Sequence, residues 1–322
     1  MMGSFYTSEG YGVKRNYAEA MRWYKMAAAQ GNASAQNNLG VMYEKGQGVA
    51  QDFGEAIRWY RLSSENNYVW AQINLGAMYE QGTGVAKDYA EAMRLYKLAS
   101  EQGNPQAQNN IGNVYRNGRG VVQDYVEAVQ WYKLAADKGL AEAQNNLGAM
   151  YESGTGVVKD YAEAMRMYKL AAAQGIASAQ INLGAMYEDG RGDGKDYSEA
   201  VRLYKMAVAQ GEPVAQVNLA LIYYNGQGVL QDYSEALRLY RLAASQGVAR
   251  AQLNLSVMYN NGEGVSKNYT KAHMWSNLAA AKGETNAVKN RDFIAAKMTP
   301  QQIAEAQKLA RECLARDFKK CD

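Results

Sequence analysis

The chain has 322 residues, 48% of them hydrophobic, with 31 glycines, 3 prolines and a formal net charge of +3. That apolar content argues against disorder, and the mild positive balance does not by itself call for a nucleic-acid partner. No run of about 18 apolar residues occurs, so no membrane span is expected.

The opening MMGSFYTSEG has no apolar core of a signal peptide. Gly10, Gly12 and Val13 match Gly46, Gly48 and Val49, so the chain opens partway through a repeating unit. The compartment stays open: cytoplasmic or, with a trimmed N-terminal signal, periplasmic or secreted. Cys313 and Cys321, both in the tail, are too few for a disulfide framework and leave the redox compartment open.

An aromatic after an acidic or amide residue recurs at Tyr17, Phe53, Tyr89, Tyr125, Tyr161, Tyr197, Tyr233 and Tyr269, a fixed period of 36 residues. A fixed period in that range marks a solenoid whose units touch only their neighbours. The expected organisation is a partial first repeat over 1–15, a repeat array over 16–283 and a C-terminal cap over 284–322.

Each unit holds two helical patterns. Over 160–175 the residues Tyr161, Ala164, Met165, Tyr168, Ala171 and Ala172 share one helical face. Asp160 is an N-cap with Glu163 three residues on, an acidic form of the capping box repeated at Asp52/Glu55, Asp88/Glu91, Asp124/Glu127, Asp196/Glu199 and Asp232/Glu235. Gly175 and its counterparts end the helix where positive φ is needed, with Asn67 as the substitute in the second copy.

The other helix covers 141–153, with Ala143, Leu147, Met150 and Tyr151 as its packed face. Gly148 lies mid-helix and recurs as Gly40, Gly76, Gly112 and Gly184, then as Ala220 and Ser256. Glycine there costs about 1 kcal/mol against alanine, so a close helix approach is the expected reason. Beyond the array, Thr299-Pro300 reads as a cap and first turn, opening an amphipathic helix over 300–318 with Ile303, Ala306, Leu309, Ala310, Cys313 and Leu314 as its stripe.

Ala-x-Ala-Gln-x-Asn-Leu-Gly-x-Met-Tyr, then Gly-x-Gly-Val, then Asp-Tyr-x-Glu-Ala and Tyr-Lys-x-Ala-Ala, resembles the Sel1-like repeat over about residues 10–283. That family is related to tetratricopeptide arrays. The resemblance implies an all-α, right-handed α-solenoid of helix-turn-helix repeats that serves as an adaptor for protein partners. Some members carry cysteine pairs within each repeat and are described as penicillin-binding or β-lactamase-like. The repeats here have no cysteines, and Ser-x-x-Lys is absent throughout. A hydrolase is therefore the alternative reading rather than the first.

No catalytic residue, cofactor or metal site is expected. His273 is the single histidine, so neither a triad nor a metal cluster can be assembled around it. A structural place is the expectation. The irregular loop Asp189–Asp196 spells Arg191-Gly192-Asp193 and lacks the ligand spacing of a calcium loop, so loop drift is the expectation there too. Basic pairs such as Arg58/Arg61, Arg166/Lys169 and Arg202/Lys205 make a ridge that would suit an anionic surface. The glutamate three residues before each first arginine instead favours local ion pairs.

A binding surface is expected from positions that vary between copies. In the Gln-x-Asn-Leu-Gly helix, Gln36 and Asn38 keep their identity in every copy and are read as structural. Four other positions vary and are expected to line a concave face. From them the expected partner-binding residues are Trp70, Ile73, Asn109, Asn113, Arg116, Asn145, Glu152, Ile181, Glu188, Leu221, Tyr224 and Arg250. Aromatics and arginine dominate interface energies, so a protein or peptide of unknown identity is the expected partner. Homodimerisation through the open N-terminal half-unit is a further expectation.

Overall fold

The computed structural model describes residues 16–319 and Cys321. The expectations placed on residues 1–15, the partial repeat and a dimer through it, lie outside the described residues. Among the described residues there are 17 helices and no strand. The chain divides into two compact units at Asp160/Tyr161.

The first unit contains α1 (Tyr17–Ala29), α2 (Ala33–Lys45), α3 (Phe53–Glu65), α4 (Val69–Gln81), α5 (Tyr89–Glu101), α6 (Pro105–Asn117), α7 (Tyr125–Asp137) and α8 (Ala141–Ser153). The second contains α9 (Tyr161–Ala173), α10 (Ala177–Asp189), α11 (Tyr197–Ala209), α12 (Pro213–Asn225), α13 (Tyr233–Ser245), α14 (Ala249–Asn261), α15 (Tyr269–Ala281), α16 (Thr285–Ala295) and α17 (Pro300–Ala315). Within each unit successive helices pack on one another as far as α16, the arrangement of an α-solenoid.

Punctuation fixes these lengths. Asp52, Asp88 and Asp232 accept at their side chains from the backbone N–H of Glu55, Glu91 and Glu235. The reciprocal half of the expected capping box does not form. The cap N–H of Asp52, Asp88 and Asp232 donates instead to the carbonyl of Tyr43, Tyr79 and Tyr223, at 3.0, 3.0 and 2.9 Å. This backbone bond ties each helix start to the helix before it and leaves the glutamate for its arginine. A complete box occurs at Thr299/Gln302. At the other end, Gly31, Gly103 and Gly175 take φ of 81, 80 and 90°, and Asn67 takes 57°.

The mid-helix glycines are explained by rings. A Cβ added at Gly40, Gly76, Gly112 or Gly184 would lie 2.5–2.7 Å from the ring of Tyr60, Tyr96, Tyr132 or Tyr204. Those tyrosines are buried to within 1% of complete. Each of these four copies thus seats an aromatic ring directly on bare backbone, and burying that large apolar face exceeds the cost of a helical glycine.

After α15 the pattern ends. Helices α16 and α17 both pack on α15, burying Ile294, Ala306, Ala310 and Cys313. Two departures from expectation occur here. Leu314 is exposed, because the helix stops at Ala315 and the chain reverses through Asp317 and Phe318 at φ of 50 and 62°. That reversal tucks Phe318 inward and brings Cys321 to Cys313, with 5.1 Å between Cα atoms, so the two cysteines form a disulfide.

Candidate protein-binding face

The even-numbered helices α2 to α14 carry the variable positions. Their first position is open except at half-buried Gln106: Trp70 is 48% exposed, Val214 is 53% exposed, and Arg250 is also exposed. The second position differs from expectation. Ile73 and Asn109 are 6% and 4% exposed, as buried as Asn37 and Val217, while Asn145 and Ile181 are half-buried. The reason is contact between successive even helices. Asn74 donates to Asn37 Oδ1 and Asn146 to Asn109 Oδ1, both at 3.0 Å. Ile73 and Asn109 thus form the floor of the face rather than free side chains.

The fourth position carries a structural load as well. Tyr96 donates its hydroxyl to Glu80, and Tyr204 to Glu188, both at 2.8 Å; Tyr60 does the same to Glu44. Burial first, and the partner carboxylate second, push these three phenols far above the ordinary tyrosine range. In the third copy Arg116 stands at the glutamate position, and Tyr132 donates to Asn113 Oδ1 at 2.7 Å. Burial raises Tyr132 to about 12, with Arg116 pulling the other way. Glu80 is also paired with Arg119 at 2.7 Å. The signal was present in the sequence, as a glutamate and a tyrosine at a constant offset from copy to copy.

The invariant glutamines join neighbouring repeats, as expected of structural residues. Asn66 donates to Gln36, Gln102 to Gln72, Gln210 to Gln180 and Gln246 to Gln216, at 2.9–3.1 Å. This ladder lies beneath the helix starts and fixes the spacing of the candidate face.

On the odd-numbered helices the first arginines are ion-paired as expected: Arg58–Glu55, Arg94–Glu91, Arg166–Glu163 and Arg238–Glu235 at 2.7–2.9 Å. Hydrogen bonding to Arg58 and Arg202 holds Glu55 and Glu199 below the usual carboxylate range. The second basic residues lie over aromatic rings of the next copy, which sequence reasoning missed. Arg241 lies 6.0 Å from the Tyr259 ring centre and Lys169 5.7 Å from that of Tyr187. The irregular loop is tied down too, by Lys169–Asp193 at 2.8 Å and Arg191–Asp189 at 2.7 Å. His273 is buried among the residues of α15. Among the described residues no group of three His, Cys, Asp or Glu is placed to hold a metal. No helix among them is long and apolar enough to cross a membrane.

The same 36-residue unit, its caps and its tyrosine–glycine seats decide the family when set beside known proteins. The Sel1 repeat model matches residues 1–32, 33–68, 71–104, 105–140, 141–176, 177–212, 213–248 and 249–284. The chain is a Sel1 repeat protein. Among solved structures it is similar to c5321, a protective antigen present in uropathogenic Escherichia coli strains and displaying an SLR fold. That match has 34% identity and a TM-score of 0.88, over 99% of this chain and 68% of the other. A Sel1 repeat protein from Oxalobacter formigenes matches with 40% identity and a TM-score of 0.67, over 71% of this chain and 94% of its own. No curated protein matches the chain. Sel1 repeat proteins are generally protein-interaction scaffolds, and the family is typically non-catalytic.

Proposed function

We propose that this Sel1 repeat protein is a non-enzymatic adaptor that holds a protein or peptide partner along the variable face of its even-numbered helices. That face is the one expected to be concave in a solenoid. The observation that carries the reading is Trp70. A tryptophan 48% exposed on a helix whose other large residues are packed is an expensive thing to leave in water. In the same unit the face supplies half-buried Asn113, Arg116 and Asn145, and in the second unit the corresponding positions carry exposed Arg250 and the half-buried apolar groups Ile181 and Leu221. Such a mixture of aromatic and arginine anchors with adaptable amides suits an extended chain. The ion pairing along the odd-numbered helices speaks against an anionic surface as the main partner.

The test uses the full chain and the partner it captures from its source. Trp70→Ala is expected to cut the partner's affinity about tenfold or more, within the range of an interface anchor, while helix content by circular dichroism stays the same. Undiminished capture by this variant removes the face from consideration.

A further inference from the structure

The buried tyrosines act as controls for one another. Tyr60, Tyr96 and Tyr204 donate to a glutamate on the helix before them, and Tyr132 uses Asn113 one turn earlier. Before Tyr240 both acceptor positions are changed: Leu221 stands where Asn113 does, and Tyr224 stands where the glutamates do. Leucine accepts no hydrogen bond. Tyr224 turns aside, donating to Glu263 at 2.8 Å and meeting the Tyr233 ring edge-on at 5.2 Å.

What is left is a pocket of about 90 Å³ lined by Leu221, Tyr224, Tyr240, Asn254 and Val257, between α12 and α14. Roughly three waters' share of liquid volume fits there, which is room for a carboxylate and the methylene beside it. Tyr240 lines it while only 1% exposed. Asn254 lines the pocket and Arg250 stands one helical turn before it on α14, at the pocket's exposed side. Burial raises the Tyr240 phenol above its ordinary range, and these two residues act in the opposite direction. Glu263 is not among the lining residues and is held by Tyr224 and by Asn261 at 3.2 Å.

We propose that this pocket receives the side-chain carboxylate of a Glu or Asp in an extended partner peptide, at the place where other copies carry their own glutamate. The occupant rests on the adaptor reading above and makes it specific. Tyr240 donates to the incoming carboxylate, Arg250 supplies the opposite charge, and Leu221 and Val257 cover its methylenes and favour apolar neighbours in the peptide. A charge-assisted bond to a hydroxyl in a half-enclosed apolar pocket is stronger than the same bond in water.

The probe is fluorescein-labelled Ala-Leu-Glu-Leu-Ala, amidated at its C-terminus, titrated into the full chain by fluorescence polarisation. Its controls are the same peptide with Gln for Glu, and Ala-Leu-Ala-Leu ending in a free carboxylate. The Glu peptide is expected to bind at least about tenfold tighter than the Gln peptide, the size of one charge-assisted bond. Tyr224→Glu, which restores the internal acceptor, and Tyr240→Phe, which removes the donor, are each expected to erase most of that difference with helix content unchanged. Leu221→Asn, copying the third repeat, is expected to act in the same direction. Equal binding of Glu and Gln peptides, binding of the free-terminus peptide alone, indifference to all three variants, or no binding of any probe overturns the proposal. Partner capture that is lost in Trp70→Ala but kept in Tyr240→Phe overturns the pocket and leaves the adaptor reading standing. Capture indifferent to Trp70→Ala removes the adaptor reading, and the peptide titration then judges the pocket by itself.

Discussion

An interior hairpin and the last one solve the same packing problem in opposite ways. In α4 and α5, bare backbone at Gly76 receives the ring of Tyr96, and the ring's hydroxyl reaches Glu80. In α14 and α15 the glycine has become Ser256 and the tyrosine Ser276, both fully buried. There Ser256 donates to the carbonyl of Ala272 at 2.6 Å, the two hydroxyls meet at 2.6 Å, and Asn290 of α16 donates to both at 2.8–2.9 Å. The interior copy fills its seam with one large ring, whereas the last copy fills it with a small polar cluster completed by the cap. Asn290 stands 36 residues after Asn254, in the register of the invariant asparagines, so the cap supplies at this seam the residue that the repeats have there. In the last copy the glycine and the tyrosine change together, whereas in the copy before it Ala220 replaces the glycine alone and Tyr240 stays buried.

The largest expected effect comes from forcing the terminal solution into the interior. Tyr96→Ser removes a fully buried ring and is expected to cost about 3–5 kcal/mol, the range for deleting a core aromatic. Urea denaturation followed by circular dichroism measures it. Adding Gly76→Ser is expected to recover little, since two serines do not refill the volume of the ring, even with Asn110 at the place that Asn290 takes at the end. Full recovery would mean that the two seams are interchangeable.

Next is the cap itself. The bond between Cys313 and Cys321 closes a loop with a sequence separation of 8. In the chain-entropy treatment, cutting it with Cys321→Ser costs about 2–3 kcal/mol. The loss is expected to be local, because solenoid units are coupled to neighbours only. Hydrogen exchange should therefore quicken over α15 to α17 and leave α9 to α11 as in the wild type. Uniform quickening would show that the last copy is no separate element.

Gly76→Ala probes the interior seam more gently. The added methyl would sit 2.7 Å from the Tyr96 ring, and overpacking of this kind costs about 1–3 kcal/mol. Better helix propensity returns about 1 kcal/mol of that. A net loss of up to about 2 kcal/mol in urea is the expected outcome, and a gain would show that the ring can move.

Much of this was legible before any coordinates. The period gave the helices, the caps and the glycine ends, and the Glu–Arg spacing gave the surface pairs, because each depends on residues within one turn or one unit. The candidate face was legible only in part. Ile73 and Asn109 were placed on it by helical spacing, which does not know where the next even helix lies. Glu188 was read as a free groove residue because the tyrosine that binds it belongs to the next helix. The tail disulfide was missed for a different reason. It needs a left-handed reversal at Asp317 and Phe318, residue types that do not announce one.

The smallest effect also separates the last copy from the others. His273 occupies the place held by Met21, Met93 and Met165. It is 3% exposed, its Nδ1 has no hydrogen-bond partner, and its pKa lies below the ordinary histidine value. Burial is the main cause and the Arg291 charge adds to it, with Asp292 opposing both. The unfolded chain, at about 6.5, therefore takes up a proton more readily than the folded one. Stability from this group is complete above that value and is lost as the pH falls from there towards the folded pKa. The urea midpoint of the wild type is expected to drop between about pH 7.5 and about pH 5.5. His273→Met, which gives the last copy the residue found at 21, 93 and 165, is expected to flatten that drop. The same slope in both proteins would mean that His273 stays as easy to protonate in the fold as out of it.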